Sequence, residues 1–260
     1  MFVDPSLSSS RTPTSMVDLA AQIRGLDRRR TIEDVIAAQI AIEQARDGFR
    51  NPARNALRRR VRRAPDGVAA FNFMYLSVTE AISAQLHRFE DPAFVERLAV
   101  VFAEFYLREY AAADAGTWVS KAWEPLFSEA RRKDVAPLQF ALAGMNAHIN
   151  NDLPWALLQS WRELGRTPEA DSPIYRDFQL VNKILEEVAV GVRATLESGL
   201  IRWLDRLLGR FDDVVAVVVV AKARTDAWRR AERWHRGFDG EAAEAHERHV
   251  GYESRLVLAA

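Results

Sequence analysis

One apolar stretch of the chain carries an imidazole and a carboxylate at a spacing that permits acid–base chemistry. The run "GMNAHINNDLPWAL", residues 144–157, is interrupted by five polar side chains within seven positions. On a helix, His148 and Asp152 stand at i and i+4 and therefore share a face. A carboxylate beside an imidazole in apolar surroundings can fix one tautomer and raise the pKa of the ring. The pair is predicted to be a general acid or base.

The same spacing also suits two ligands of one divalent metal ion. In this alternative Asp177, from the segment "RDFQLVNKIL", is the candidate third ligand. The chain has no cysteine, which excludes thiolate metal sites, cysteine nucleophiles and disulfides. The sequence assigns no metal or other cofactor to the protein.

Two structural interpretations compete with the catalytic one. In a regular α-helix the ring of Pro154 would clash with the carbonyl of Asn150, so the helix could break, with Asp152 as the N-cap of the next helix. His148 could instead be a core histidine whose ring is satisfied by a backbone carbonyl. The sequence leaves open whether residues 144–157 form one kinked helix or two.

Other predicted helices also carry polar side chains among apolar residues. Several such helices, unexplained by capping, predict one shared polar cavity. Arg224 follows the run "VVAVVVVA", and an inward-pointing guanidinium there needs a carboxylate, with Asp177 and then Asp152 as expected partners, or an anionic ligand. The predicted substrate-binding residues are Asn72, Tyr75, Thr79, Asn146, Asn150, Asp177, Asn182, Arg224 and Trp228.

The elements that position these residues are predicted to be helices. Apolar residues recur at helical spacing after Thr31, which forms a capping pattern with Asp34, and the sequence has no hairpin signal of the Asn-Gly kind. The valine-rich run at 214–221 is predicted to be a buried helix, with a strand as the alternative. The expected class is all-α, a single-domain bundle of roughly eight to ten helices.

The helical domain is predicted to occupy residues 31–240. Residues 1–30 are expected to form a polar, partly disordered tail, and their pattern is not that of a signal peptide. Residues 241–260 are expected to be a tail or helix, in which His246 and His249 lie on a solvated, charged surface. The basic stretch 46–64 contains "RRRVRR" and is also expected to be solvated.

Composition limits the classes of partner. Lys plus Arg and Asp plus Glu number 36 each, so the net charge is zero and a nucleic-acid partner is not expected. The longest strongly apolar run is far shorter than the roughly 20 residues that span a bilayer. The motifs of nucleotide-binding loops, serine hydrolases and zinc proteases do not occur in the sequence. We expect a soluble, cytoplasmic protein that binds a small molecule, with the oligomeric state left open.

Five segments resemble, in order, the motif series of an uncharacterised family of actinobacterial proteins. They are "DGVAAFNFMYLSVTEAI", "DPAFVERLAVVFAEFYL", "GMNAHINNDLPWAL", "RDFQLVNKIL" and "ARTDAWRRA". The hallmark of that family is an Asn-Ala-His-Ile-Asn-x-Asp-Leu string. The resemblance spans residues 31–235 and implies a helical domain with these polar residues as its signature, but no reaction. The basic insertion at 46–64 and Pro154 depart from the family pattern.

The sequence thus favours an enzyme, or a former enzyme, that acts on a mostly apolar small molecule such as a secondary metabolite through His148 and Asp152. The alternative is a non-catalytic ligand-binding or scaffold protein, in which the same side chains form a closed hydrogen-bond network. Whether the protein is an enzyme stays open at this point.

Overall fold

All secondary structure in the described residues is helical. The computed structural model describes residues 31–46, 48, 66–196 and 213–260, with the backbone alone at 189–196 and 213–219. Within these ranges the chain forms an all-α domain, which confirms the predicted bundle of roughly eight to ten helices. The expected N-terminal tail and nearly all of the basic stretch 46–64 lie outside the described residues.

Nine α-helices lie in the described residues. They are α1 (Ile32–Ala45), α2 (Gly67–Ala84), α3 (Pro92–Asp114), α4 (Glu124–Glu129), α5 (Pro137–Asn146), α6 (Leu153–Leu164), α7 (Pro173–Leu196), α8 (Asp213–Arg236) and α9 (Gly240–Ala259). A 3-10 turn, Leu86–Arg88, follows α2, and a π-helical segment, Ala147–Asp152, joins α5 to α6 without a break.

Polar side chains fix several helix starts. The Thr31 hydroxyl accepts the N–H of Asp34, whose carboxylate accepts the N–H of Thr31, so the predicted start of α1 is confirmed. Asp66 and Asp91 accept backbone N–H groups in the first turns of α2 and α3. The valine-rich run lies in α8, so the strand alternative for this segment is wrong.

The chain at 144–157 is one continuous helix that widens for one turn. The N–H of Leu153 donates to the carbonyl of His148, five residues earlier, which is the hydrogen bond of a π-helix. The wide turn accommodates Pro154, which has no N–H to donate and would crowd the carbonyl of Asn150 in a regular α-helix. That carbonyl instead accepts a hydrogen bond from Nε2 of His246 at 2.9 Å.

The π-helical segment lies at the centre of the packing. It contacts α3, α8 and α9 as well as the two helices that it joins. α6 and α8 run antiparallel, because Trp155 packs on Trp234 with ring centroids 4.3 Å apart while Trp161 packs on Trp228 at 4.8 Å. No helix among the described residues is both long and apolar enough to cross a membrane.

The last helix forms one side of the bundle. Val250, Ser254 and Leu258 of α9 are buried, and the side-chain amide of Asn146 donates to both the Val250 carbonyl and the Ser254 hydroxyl at 3.0 Å. The expected solvated surface at 241–260 is therefore wrong for the inner face of α9, which includes His246, and holds for His249, whose side chain is 64% exposed.

Gly251 allows α9 to pack closely against the backbone of the loop before α4, so we expect a side chain at this position to destabilise the fold. A Cβ at Gly251 would stand 2.1 Å from the backbone oxygen of Lys121, whereas a Cβ at Gly237 would meet nothing within 4 Å. We expect Gly251→Ala to lower the free energy of unfolding by about 2 kcal/mol or more, because a backbone oxygen cannot move aside cheaply. Gly237→Ala, the control, should change it by under about 0.5 kcal/mol. Equal urea midpoints for the two variants would contradict this account.

Candidate functional site

His148 and Asp152 form a buried hydrogen-bonded pair. Nδ1 of His148 lies 3.0 Å from Oδ2 of Asp152, and the two side chains are 3% and 2% exposed. Asp152 also accepts the indole N–H of Trp123 at 3.0 Å and the side-chain amide of Asn151 at 2.9 Å. Donors on both oxygens favour the carboxylate form, which places the imidazole proton on Nδ1 and leaves Nε2 with a lone pair.

Both structural interpretations of this stretch are wrong. The side chain of Asp152 caps no helix, because it accepts side-chain N–H groups and no backbone N–H in the first turn of α6. The ring of His148 is held by the carboxylate and not by a backbone carbonyl. The predicted i, i+4 pair is therefore a direct contact between the two side chains.

Burial opposes both charges of the pair. It raises the pKa of Asp152 to about 7, against hydrogen bonds from Asn151 and Trp123 that lower this pKa. Burial also holds the pKa of His148 well below its usual value. The expected rise in the pKa of His148 is wrong, because desolvation in these apolar surroundings outweighs the neighbouring carboxylate. The imidazole is therefore neutral at pH 7, and when Asp152 is ionised its proton-accepting atom is Nε2.

Aromatic rings surround this imidazole and form what we term the aromatic cage. Phe102 stacks on the His148 ring with centroids 3.5 Å apart and planes 6° apart, and Tyr75 meets it nearly edge-on at 4.5 Å. The Nε2 atom is enclosed and has no hydrogen-bond partner among the described residues. The other cage rings lie 5.8–6.3 Å away and belong to Phe71, Tyr106 and Trp123.

The cage is assembled from three elements of the chain. α2 and α3 each supply two rings at i and i+4, which places each pair on one helix face. Trp123 comes from the loop that precedes α4. Gly144 of α5 lets the Phe71 ring close on the site, because a Cβ at Gly144 would stand 2.5 Å from that ring. Burial, followed by the charge of Asp152, raises the pKa of Tyr75, whose phenol is therefore protonated.

The other predicted polar residues of α2, Asn72 and Thr79, form hydrogen bonds with cage residues. The amide of Asn72 donates to the Gln39 carbonyl at 2.9 Å and accepts the hydroxyl of Tyr106 at 3.3 Å, so Asn72 positions a cage ring. The hydroxyl of Thr79 donates to the carbonyl of Tyr75 at 3.0 Å. Of this predicted stripe, Tyr75 is the residue that contacts the imidazole.

The two asparagines of the central run hold α9 in place. The side-chain amide of Asn150 donates to Oδ1 of Asn146 at 2.7 Å, and Asn146 in turn donates to α9. These bonds engage both side-chain amides within the protein. The structure thus gives a structural role to two of the residues predicted to bind a substrate.

Asp177 lies apart from the imidazole and caps another segment. Its carboxylate accepts the backbone N–H groups of Glu90 and Asp91 at 2.8 and 2.7 Å, just before α3. The predicted roles of Asp177 as third metal ligand and as partner of Arg224 are therefore wrong. Among the described residues, no three His, Asp or Glu side chains are grouped so that they could hold a metal ion.

Arg224 has neutral partners. Its Nε donates to Oδ1 of Asn182 at 2.8 Å, and its Nη2 donates to the carbonyl of Phe178 at 2.9 Å. The expected pairing with a carboxylate is wrong for the described residues. Trp228, one turn further along α8, packs on Phe178 with ring centroids 4.9 Å apart and donates its indole N–H to Glu232. These side chains form a second cluster.

The second cluster lies far from the imidazole. Trp161, which packs on Trp228, stands 13 residues beyond His148 along the same continuous helix, a distance of about 20 Å at 1.5 Å per residue. Arg224 lies one further turn away, because α8 runs antiparallel to α6. The predicted single cavity is therefore not what the structure shows: Asn72 and Tyr75 lie by His148, and Asn182 and Arg224 do not.

Sequence reasoning missed the residues that fix the loop before Trp123. Glu109 accepts the backbone N–H of Ser120 at 2.9 Å, and Glu247 accepts that of Lys121 at 2.7 Å. Burial raises the pKa of Glu109 to about 7 and also raises that of Glu247. The one available signal was Trp123 itself, since a buried indole N–H needs an acceptor. No spacing in the sequence connects the two glutamates with this loop.

Comparison with known proteins gives a family match and no function. A family model described as "Family of unknown function (DUF5995)" matches residues 53–260, which include the aromatic cage, the His148–Asp152 pair and the second cluster. No curated protein and no solved structure matches the chain.

The raised pKa of Glu109 gives a test of this network. Between pH 4.5 and 7 the folded protein keeps a proton that the unfolded chain has lost, so the contribution of Glu109 to stability falls as the pH rises. Glu109→Gln removes this titration and keeps an acceptor for Ser120. Relative to wild type, its free energy of unfolding should increase by up to about 3 kcal/mol across this window and stay level above it.

The exposed Glu244, whose side chain is 42% exposed, provides the control. Glu244→Gln should show no comparable trend in urea unfolding measured from pH 4 to 8. A Glu109→Gln difference that does not change with pH would show that this carboxyl has an ordinary pKa.

Proposed function

The chain belongs to this family of unknown function (DUF5995), and we propose from its geometry that it is an enzyme in which His148 is the general base. The ligand is a mostly apolar small molecule that presents one O–H or N–H group to the aromatic cage. Nδ1 of His148 is engaged by Asp152, whereas Nε2 is enclosed among aromatic rings without a partner among the described residues. This unpaired Nε2 is the observation that supports the proposal.

An unpaired acceptor in a core is costly. A buried polar atom without a hydrogen bond costs about 1–3 kcal/mol, and native cores rarely keep one without a reason. A ligand that donates a hydrogen bond to Nε2 removes this cost. The ordinary alternative, a histidine with both nitrogens satisfied by the protein, is not the arrangement that the described residues provide.

The chemistry that follows is a proton transfer. Nε2 takes the proton of the ligand O–H or N–H group, and the imidazole becomes an imidazolium with Nδ1–H still directed at Asp152. The carboxylate holds the ring orientation and stabilises the positive charge as it forms. Return of the same proton from Nε2 to the product restores the neutral ring, so His148 serves as base and then as acid.

The cage defines the chemical class of the ligand. Rings from α2, α3 and the loop before α4 offer apolar surface around a single acceptor, which suits an aromatic or polycyclic body with one donor. An anionic ligand would be disfavoured, because its charge would be desolvated beside the like charge of the Asp152 carboxylate.

A second candidate function rests on the remaining polar residues. Asn72, Asn146 and Asp177 all join separate helices through hydrogen bonds, as expected of a scaffold whose polar groups fix helix register. In that case the His148–Asp152 pair would also be structural, and no ligand would depend on Nε2.

Two probes that differ by one hydroxyl group separate these functions. 4-Methylphenol carries an O–H group and toluene does not, while both are apolar rings. We expect wild type to bind 4-methylphenol at least about tenfold more tightly than toluene, since one satisfied acceptor contributes about 1.4 kcal/mol. Thermal denaturation at increasing probe concentration measures both affinities.

The matched variants are His148→Phe, which keeps a ring and removes Nε2, and His249→Phe at an exposed position of α9. The preference for 4-methylphenol should disappear in the first and persist in the second. Equal affinity of wild type for the two probes, or binding of neither, would favour the scaffold. The difference between the affinities of wild type for 4-methylphenol and toluene distinguishes the enzyme from the scaffold even if His148→Phe does not fold.

A further inference from the structure

The second cluster contains a buried cation with unused hydrogen-bond donors. We infer that Arg224, together with Asn182 and Phe178, forms a binding site for a small monocarboxylate with an apolar body. This site is separate from the one at His148 and does not depend on the function proposed for that residue.

The guanidinium of Arg224 is held in a fixed orientation. Asn182 accepts from Nε at 2.8 Å and is itself fixed, since its amide donates to the side chain of Gln179 at 2.9 Å. The carbonyl of Phe178 accepts from Nη2, and the Phe178 ring lies under the guanidinium with its centroid 4.3 Å from Cζ. The side chain is thus positioned before any ligand arrives.

Two of the five N–H groups of this guanidinium are used by these acceptors. The structure gives Nη1 no partner among the described residues, so three N–H groups are left. The remaining donors include the parallel pair on Nη1 and Nη2, which matches the two oxygens of a carboxylate. An acceptor with two oxygens in one plane therefore fits the vacant edge.

The charge of Arg224 is uncompensated in its surroundings. The residue is 6% exposed, and no ion pair connects it with a carboxylate of the described residues. Burial lowers its pKa to about 9, so the side chain is still charged at pH 7. A buried charge facing only neutral acceptors is costly, and an arriving anion would offset that cost.

The surroundings select a monocarboxylate over a phosphate. One guanidinium supplies a single positive charge, which a carboxylate neutralises, whereas a phosphate monoester carries −1.5 to −2 charges at pH 7. Trp228 packs against Phe178 and Tyr175, with ring centroids 4.9 and 5.1 Å away. Phe178 and Trp228 are buried, whereas Tyr175 is half-buried, so Tyr175 is the ring with accessible apolar surface for the body attached to the carboxylate.

Benzoate, benzamide and inorganic phosphate are the probes that test the site. Benzamide has the shape of benzoate without its charge. We expect benzoate to raise the melting temperature of wild type in proportion to the logarithm of its concentration, and benzamide to have no effect. Phosphate should bind at least tenfold more weakly than benzoate. Phosphate binding as tight as that of benzoate would overturn the assignment to carboxylates.

The control variant is Arg229→Met, on the same helix but 67% exposed. Arg224→Met should weaken benzoate binding at least tenfold, while Arg229→Met should leave it unchanged. If Arg224→Met does not fold, the Nε–H signal of Arg224 in ¹⁵N-labelled wild type provides the readout and should move with benzoate. No response of wild type to benzoate, or an equal response in Arg224→Met, would overturn the inference.

Discussion

A carboxylate can be buried among aromatic rings only if N–H groups surround it, and Asp152 obtains them from two parts of the chain. Asn151 and His148 reach it from the π-helical segment, and Trp123 reaches it from the loop before α4. Each donor requires its own support. Glu109, half-buried, and Glu247, buried, hold the loop, and the widened turn forms where Pro154 prevents a regular helix. The π-helical segment and the loop before α4 thus both supply donors to this one carboxylate.

The same anion gives His148 its chemical character. A neutral imidazole with its proton on Nδ1 presents a lone pair on the opposite side of the ring, among aromatic surfaces. Asp152 thereby fixes the tautomer, and the cage excludes water from the acceptor. The second cluster has the opposite chemistry, a guanidinium held by neutral acceptors, at the far end of the antiparallel pair α6 and α8.

Local patterns in the sequence were sufficient for the helices and for the central pair. The capping box at Thr31 and the i, i+4 spacing of His148 and Asp152 involve neighbours in the chain, so spacing alone predicted them. Pro154 indicates, from the sequence alone, that a regular helix cannot continue here. The sequence could not show that a wider turn, supported by His246 nearly a hundred residues later, is the outcome.

The other features of the site could not be predicted, because they depend on contacts between residues that are far apart in the sequence. Phe102 lies in an apolar run in which several rings look alike, so no pattern selects it as the ring that stacks on the imidazole. Arg224 and His148 both lie on apolar helices, so the sequence predicts one site for them, and only the direction of α8 shows that they are separate. The partner of Arg224, Asn182, is neutral, whereas the sequence predicts a carboxylate, because a buried guanidinium normally pairs with an opposite charge.

The most direct test of the account is the protonation state of His148 in the free protein. Long-range ¹H–¹⁵N correlation spectra of histidine-labelled protein, with His148→Gln to assign the signal, distinguish the two neutral tautomers from the imidazolium. A neutral ring protonated on Nδ1 is expected at pH 8, where Asp152, with its pKa of about 7, is ionised, and no imidazolium is expected from pH 5 to 8, because burial keeps the pKa of His148 well below its usual value. A proton on Nε2 at pH 8, or formation of the imidazolium near pH 6.5, would contradict this assignment.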